Sequence, residues 1–475
     1  MRFPSDFVWA CATAAYQIEG AANEDGRKPS VWDTFSHTPG KTFQGDTGDV
    51  ADDSYHLYKE DVKLLKNLGV TAYRFSISWP RVFPDGTGQP NEKGIAYYER
   101  VVDELLRNNI APYATLFHWD LPQALPGGWQ SRDTSKAFAD YAAYISRRLS
   151  DRVRHFFTVN EFVCFTDLSY SSGQFAPGLK LPPAQVNQIR HHAVLAHGMG
   201  VQAIRANARA GTGVGLAENA TVYVPVIESP VQVEAARRAT REGNAPFLTA
   251  VMEGKYTDRY LEHAGPNAPK VEAGDMKIIG APLDFVGLNV YTPEYVSADA
   301  SPAGYSVLPR PTSSPRMASP WLFIGPEVLY WAVRNVSDIW KPPSLYITEN
   351  GCSAADVVTP PDASKIQTAS CICVTTSRIC IERPRKATPS RDTSSGVCST
   401  TTNGRTATAN DSGYTTSISG RRPEPPSSAR SGTGKSSPAT RWCDARRRLP
   451  GNRNRPGHRP AIGVPWEPHD RAHHA

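Results

Sequence analysis

A chain of 475 residues has room for one large α/β barrel or for two to three ordinary domains. Its 52 basic and 46 acidic residues are unevenly spread: 19 and 8 of them lie from Thr359 onward (net +11), leaving 33 and 38 before it (net −5). The basic pI therefore belongs to the tail, which excludes reading the whole protein as a nucleic-acid binder, and no run is long enough to span a membrane.

The first residues, Met1-Arg2-Phe3-Pro4-Ser5-Asp6, lack a charged-then-apolar leader pattern, so a cytoplasmic protein is expected. Five of the eight cysteines also follow the break. Cys371 and Cys373 are one residue apart, a spacing that suits no zinc site, and no metal is expected.

From Phe7 to Asn350, short β-branched or aromatic runs alternate with longer amphipathic stretches. Phe7–Ala15 reads as a first strand. Tyr55–Leu68 is a helix with Tyr55, Leu57, Tyr58, Val62, Leu65 and Leu68 on one face, and Val70–Ile77 is the strand after it. Gly94–Arg107 is a helix leading into the strand Ile110–Phe117. His155–Val159, Gly213–Ala217, Leu283–Leu288 and Leu345–Ile347 complete seven strands in βα order, the pattern of a parallel sheet with crossover helices. A (β/α)₈ barrel is the expected fold.

Chemistry in such a barrel sits where strands end, because the βα loops converge on one mouth. Gln17 follows the first strand, Arg74 lies in the second, and His118 and Trp119 follow the third. Asn160 and Glu161 follow the fourth, Asn289 and Tyr291 the sixth, and Glu349 and Asn350 the seventh. Taken singly, a strand-end glutamate is more often a salt-bridge partner or a helix cap than a catalyst. Two of them, Glu161 after Phe156-Phe157-Thr158-Val159-Asn160 and Glu349 within Tyr346-Ile347-Thr348-Glu349-Asn350-Gly351, can face each other across one mouth. Retaining glycoside hydrolysis needs such a pair, with the carboxyls roughly 5–5.5 Å apart.

Six blocks carry a specific resemblance. They are Phe7-Val8-Trp9 through Ala15-Tyr16-Gln17-Ile18-Glu19-Gly20, Tyr73-Arg74-Phe75-Ser76-Ile77-Ser78-Trp79-Pro80-Arg81, and Phe117-His118-Trp119-Asp120-Leu121-Pro122. Then come Thr158-Val159-Asn160-Glu161, Asp284-Phe285-Val286-Gly287-Leu288-Asn289-Val290-Tyr291-Thr292 and Ile347-Thr348-Glu349-Asn350-Gly351. In this order they resemble a glycoside hydrolase family 1 enzyme, most similar to bacterial β-glucosidases.

The resemblance implies a double displacement on β-glucosides or short β-linked oligosaccharides, without a cofactor. Glu161 is then the acid/base and Glu349 the nucleophile. Gln17, His118 and Asn160 look like partners of the sugar hydroxyls, and Trp119 resembles a pocket-wall aromatic. Asn289 is counted with the substrate contacts, and Arg74 and Tyr291 resemble the groups that contact the nucleophile. A β-galactosidase or β-fucosidase is the alternative within the family. The retained Glu161 disfavours a myrosinase. One departure is visible: the family usually has Pro directly after the acid/base, and here it is Phe162.

After about Val358, Thr, Ser, Arg and Pro dominate and apolar periodicity vanishes, so 1–358 is read as the glycosidase barrel and 359–475 as disordered, without an eighth strand. The family's eighth strand has the form W-S-L-L-D-N-x-E-W, and its Glu and flanking Trp complete the sugar pocket. Reading the codons of Ser395 to Thr408 one base early permits W-S-L-L-D-N-Y-E-W-A-D-G-Y. The same operation on Cys371–Ser377 permits Y-L-R-D-Y-L, and on Asp411–Ser419 it permits F-G-I-H-Y-V-D-F. Three blocks in family order imply a one-base deletion between about Val358 and Gln367. The recovered E-W pair disfavours a 6-phospho-β-glycosidase. Outside the class stand an inactive carbohydrate-binding remnant and a tail that binds nucleic acid; sparse aromatics disfavour the latter.

Overall fold

The computed structural model describes residues 7–353 and 397–400, all within one compact unit. Eight parallel strands close into a ring: β1 (Val8–Ala12), β2 (Ala72–Ser76), β3 (Ala111–Phe117), β4 (His155–Asn160), β5 (Gly213–Glu218), β6 (Phe285–Asn289), β7 (Leu345–Asn350) and β8 (Val397–Thr400). Each of the first seven coincides with an expected strand to within a few residues at either end. Helices lie between them in sequence, including Ser54–Leu68, Glu92–Arg107, Asp133–Leu149 and Pro183–Asn207. A small sheet of Tyr223–Pro225, Glu294–Ala298 and Tyr305–Val307 stands apart from the barrel sheet. Among the described residues no helix is long and apolar enough to cross a membrane.

The barrel interior is a filled core. Ala10 and Ala72 on neighbouring strands leave room for Tyr113, Phe157, Phe285 and Tyr346. Phe285 packs edge-on against both Phe157 and Tyr346, with ring centroids 4.8 and 5.3 Å away. Gly215 lets β5 and β6 approach: a Cβ there would lie 2.3 Å from the Phe285 carbonyl oxygen. This aromatic floor ends at Arg74, whose guanidinium carbon lies 5.2 Å from the Phe157 ring centroid.

Three expectations are corrected. The first strand stops at Ala12, and Ala15–Ile18 is a short helix, so Gln17 is presented from a helical turn. Leu68 is exposed rather than buried with Tyr55, Val62 and Leu65; at 3.6 residues per turn it lies about 140° round the helix from Tyr55. The third concerns the tail. Val397–Thr400 occupies the eighth place, pairing with β1 at four positions (Val8↔Val397 to Cys11↔Thr400) and with β7 at Ile347↔Cys398 and Asn350↔Thr400. Strand pairing is made by backbone groups, and two unpaired parallel edges accept an extended segment whatever its apolar pattern. The other residues expected to be disordered, 359–396 and 401–475, lie outside the described residues.

Candidate active site

Asn160, the last residue of β4 and fully buried, is the hub of the mouth. Its Oδ1 accepts from Arg74 Nη2 and, at 3.0 Å, from Asn289 Nδ2. That fixes its amide nitrogen toward His118 Nε2, 3.1 Å away, while its carbonyl accepts from Trp119 Nε1 at 2.9 Å. Strands β2, β3, β4 and β6 are thus tied together through one side chain.

Glu349 is the penultimate residue of β7, with 8% of its surface exposed. Arg74 Nη1 donates to its Oε1 at 2.8 Å, and the Tyr291 hydroxyl donates to its Oε2 at 2.7 Å. Arg74 is itself oriented by its Nε donating to Thr115 Oγ1 at 2.9 Å. One cation and one phenol, converging on two oxygens of one carboxyl, aim it without blocking its free face.

Glu161 has the opposite surroundings. It is 3% exposed, and its Oε1 accepts from Asn289 Nδ2 at 2.8 Å. Its Oε2 accepts from the Cys164 thiol at 3.3 Å. Burial first, and the charge of Glu349 second, hold its proton well above the usual carboxylate range. Its backbone is left-handed, with φ 53°, and Trp119 has φ 77°. Such conformations in non-glycine residues cost of order 1–3 kcal/mol and cluster where function dictates geometry.

Asn289, expected among the sugar contacts, is bonded within the protein. Thr348 Oγ1 donates to its Oδ1 at 2.7 Å, which turns the amide nitrogen onto Asn160 and Glu161. It thereby holds the Glu161 carboxyl. Gln17 is half-buried and its side-chain amide has no hydrogen-bond partner among the described residues. His118 is buried with Nδ1 unpaired, and burial together with Arg74 keeps its ring neutral. Trp119 is buried, its ring tilted on Phe175 at 5.5 Å.

Sequence reasoning missed Thr115, Thr348, Cys164 and Glu218. Glu218 was findable, since β5 ends on it and strand ends carry the site. The glycosyl hydrolase family 1 pattern matches residues 1–372. The chain belongs to that family. Among its relatives, a 1,4-beta-D-glucan glucohydrolase of Thermotoga neapolitana is 41% identical over 361 residues, 75% of this chain and 84% of that protein. A beta-glucosidase of an Agrobacterium species is 43% identical over 356 residues, covering 74% and 77% of the two chains. Among solved structures, the virulence factor SghA of Agrobacterium tumefaciens with its substrate analogue salicin matches with a TM-score of 0.74. It is 38% identical, over 84% of this chain and 87% of that one. A β-glucosidase from Thermotoga maritima with deoxynojirimycin has the same TM-score at 36% identity, over 84% and 88%.

Proposed function

We propose that the protein is a retaining β-glucosidase. Glu349 attacks the anomeric carbon while Glu161 gives its proton to the leaving oxygen; water, deprotonated by Glu161, then releases the sugar from Glu349. The observation that supports these roles is the contrast between the two carboxyls. Glu349 receives a guanidinium and a phenol, a setting for an anion, whereas burial and the neighbouring Glu349 keep the proton on Glu161. His118, Gln17 and Asn160 bind sugar hydroxyls, Trp119 forms a wall, and Arg74, Tyr291 and Asn289 orient the carboxyls. No step calls for a cofactor. The substrates are β-glucosides or short β-linked oligosaccharides of the cytoplasm. A relative from Bifidobacterium breve carries the name bifunctional beta-D-glucosidase/beta-D-fucosidase, which keeps fucosides in view. A panel of nitrophenyl β-glycosides decides it: the glucoside is turned over fastest, and a chain that turns over none is a remnant that has lost catalysis.

The residues after about Val358 we read as translated from a shifted frame. The family pattern ends at residue 372, and the strand that occupies the eighth place, Val397–Thr400, coincides with the recovered stretch S-L-L-D. The nucleotide sequence across codons 355–370 tests this. An uninterrupted family frame there would leave the three recovered blocks without a cause.

A further inference from the structure

Strand β5 ends beside Glu161 and grips its peptide at two successive amides. The Glu161 N–H donates to the Ala217 carbonyl at 2.8 Å, and the Phe162 N–H donates to Glu218 Oε2 at 3.0 Å. Between these two bonds lies the left-handed backbone of Glu161, and Phe162 opens the helix Phe162–Tyr170. Phe162 is fully buried, with its ring stacked on Phe247 at 5.4 Å.

Glu218 is 2% exposed, and no Lys or Arg pairs with it among the described residues. The charged groups that bear on it are both acidic: Glu161, and Asp167, which Arg190 holds. A buried carboxyl in such company is costly wherever an apolar residue would pack as well. The proline usual at position 162 in the family has no N–H to offer, so donor and acceptor here form a pair that the usual pattern cannot make.

We propose that Glu218 is a positioning residue for the acid/base: by accepting the Phe162 N–H, it fixes the peptide from which the Glu161 carboxyl enters the mouth. The proposal rests on the acid/base role given to Glu161. Burial pushes Glu218 up to about 8, with the charge of Glu161 adding to it. At neutral pH it is therefore a neutral carboxyl that still accepts the amide and puts no second charge beside Glu161. The other groups facing Glu161 are Glu349, Arg74 and the Cys164 thiol.

The test uses the full chain with phenyl and dinitrophenyl β-glucosides, which differ in their need for a proton. Glu218→Leu lowers kcat/KM for the phenyl glucoside roughly 10- to 100-fold more than for the dinitrophenyl one, part of the ~10²–10⁴ that general acid catalysis supplies. Glu218→Gln keeps an acceptor and recovers most of that loss. Phe162→Pro alone strands the Glu218 acceptor, and the double variant Phe162→Pro/Glu218→Leu loses less than the product of the single losses, because neither partner is left unpaired. Equal losses on the two substrates, or losses that simply multiply in the double variant, overturn the proposal. Carbon-13 NMR of labelled glutamate gives a reading independent of turnover, with the Glu161 signal assigned by its disappearance in Glu161→Gln. In Glu218→Leu that carboxyl titrates at a different pH, because the peptide that sets its distance from Glu349, Arg74 and the Cys164 thiol is no longer held. If the parent chain hydrolyses neither glucoside, the β-glucosidase reading fails on its own. An unmoved Glu161 titration then overturns the positioning role separately.

Discussion

Restoring the reading frame after about Val358 is the perturbation with the largest expected effect, and the register of β8 sets its size. Val397–Thr400 has six paired positions, four with β1 and two with β7. At about 1 kcal/mol net for each backbone hydrogen bond, these contribute on the order of 6 kcal/mol. Fixing four residues costs about 1–2 kcal/mol each, or roughly 4–8 kcal/mol. The two nearly cancel, so backbone pairing alone closes the barrel weakly. The restored frame places two leucines over the same stretch, with a tryptophan just before it. Burying each leucine adds about 1.5–3 kcal/mol, so the leucines alone add roughly 3–6 kcal/mol. At about 2 °C per kcal/mol for a large domain, the restored protein should melt on the order of 10 °C higher. It also regains a glutamate and a tryptophan in the sugar pocket. A hydrogen bond to a charged group is worth about 1.5–3 kcal/mol, so kcat/KM on nitrophenyl β-glucoside should rise roughly 10- to 100-fold. Scanning calorimetry and the nitrophenyl assay, run on both proteins side by side, measure these differences. A chain as written that melts cooperatively within a degree or two of the restored one, and works within a few-fold of it, refutes the reasoning.

The remaining predictions concern the two carboxyls and are made on the frame-restored protein. Glu349→Gln abolishes turnover, and a 2-deoxy-2-fluoroglucoside labels Glu349 in peptide mass spectrometry; a label elsewhere removes the nucleophile assignment. Glu161→Ala slows glycosylation by substrates with poor leaving groups far more than by dinitrophenyl glucoside, and azide restores deglycosylation as a β-glycosyl azide. Equal slowing of both substrates at that step speaks against a general acid. Because the Glu161 proton is held above the usual carboxylate range, kcat/KM for phenyl glucoside is kept at neutral pH and falls as pH rises through that raised value. Asn289→Ala removes a bond that favours the ionised Glu161, so this basic limb moves to higher pH, with turnover lower by roughly 10- to 100-fold. A limb that moves down, or stays, means that Asn289 does not act on Glu161.

What the sequence made legible followed from periodicity and from blocks of several residues. Seven strands could be read because interior residues such as Phe156, Val159, Val286 and Leu288 must be apolar on both faces of a parallel sheet. Glu161 and Glu349 could be read because each interrupts such a run at its end. What could not be read depends on which way a side chain turns. Asn289 has the composition of a sugar contact, and only the Thr348 hydroxyl on its Oδ1 commits its nitrogen to Glu161 and Asn160. The eighth strand is the converse case: Val-Cys-Ser-Thr shows no pattern that marks a strand, yet β1 and β7 each present an edge that backbone alone can fill. Glu218 combines the two difficulties. Its place at a strand end was legible, but its partner is a backbone amide that becomes a donor only because residue 162 is not proline. The departure at Phe162 and the unexplained acid on β5 thus have one cause between them, and neither identifies it without the other. A family member with proline at the first position should accordingly tolerate an apolar residue at the second. In this chain the losses caused by Phe162→Pro should be rescued by Glu218→Leu and not by changes at Asp167, which Arg190 already holds.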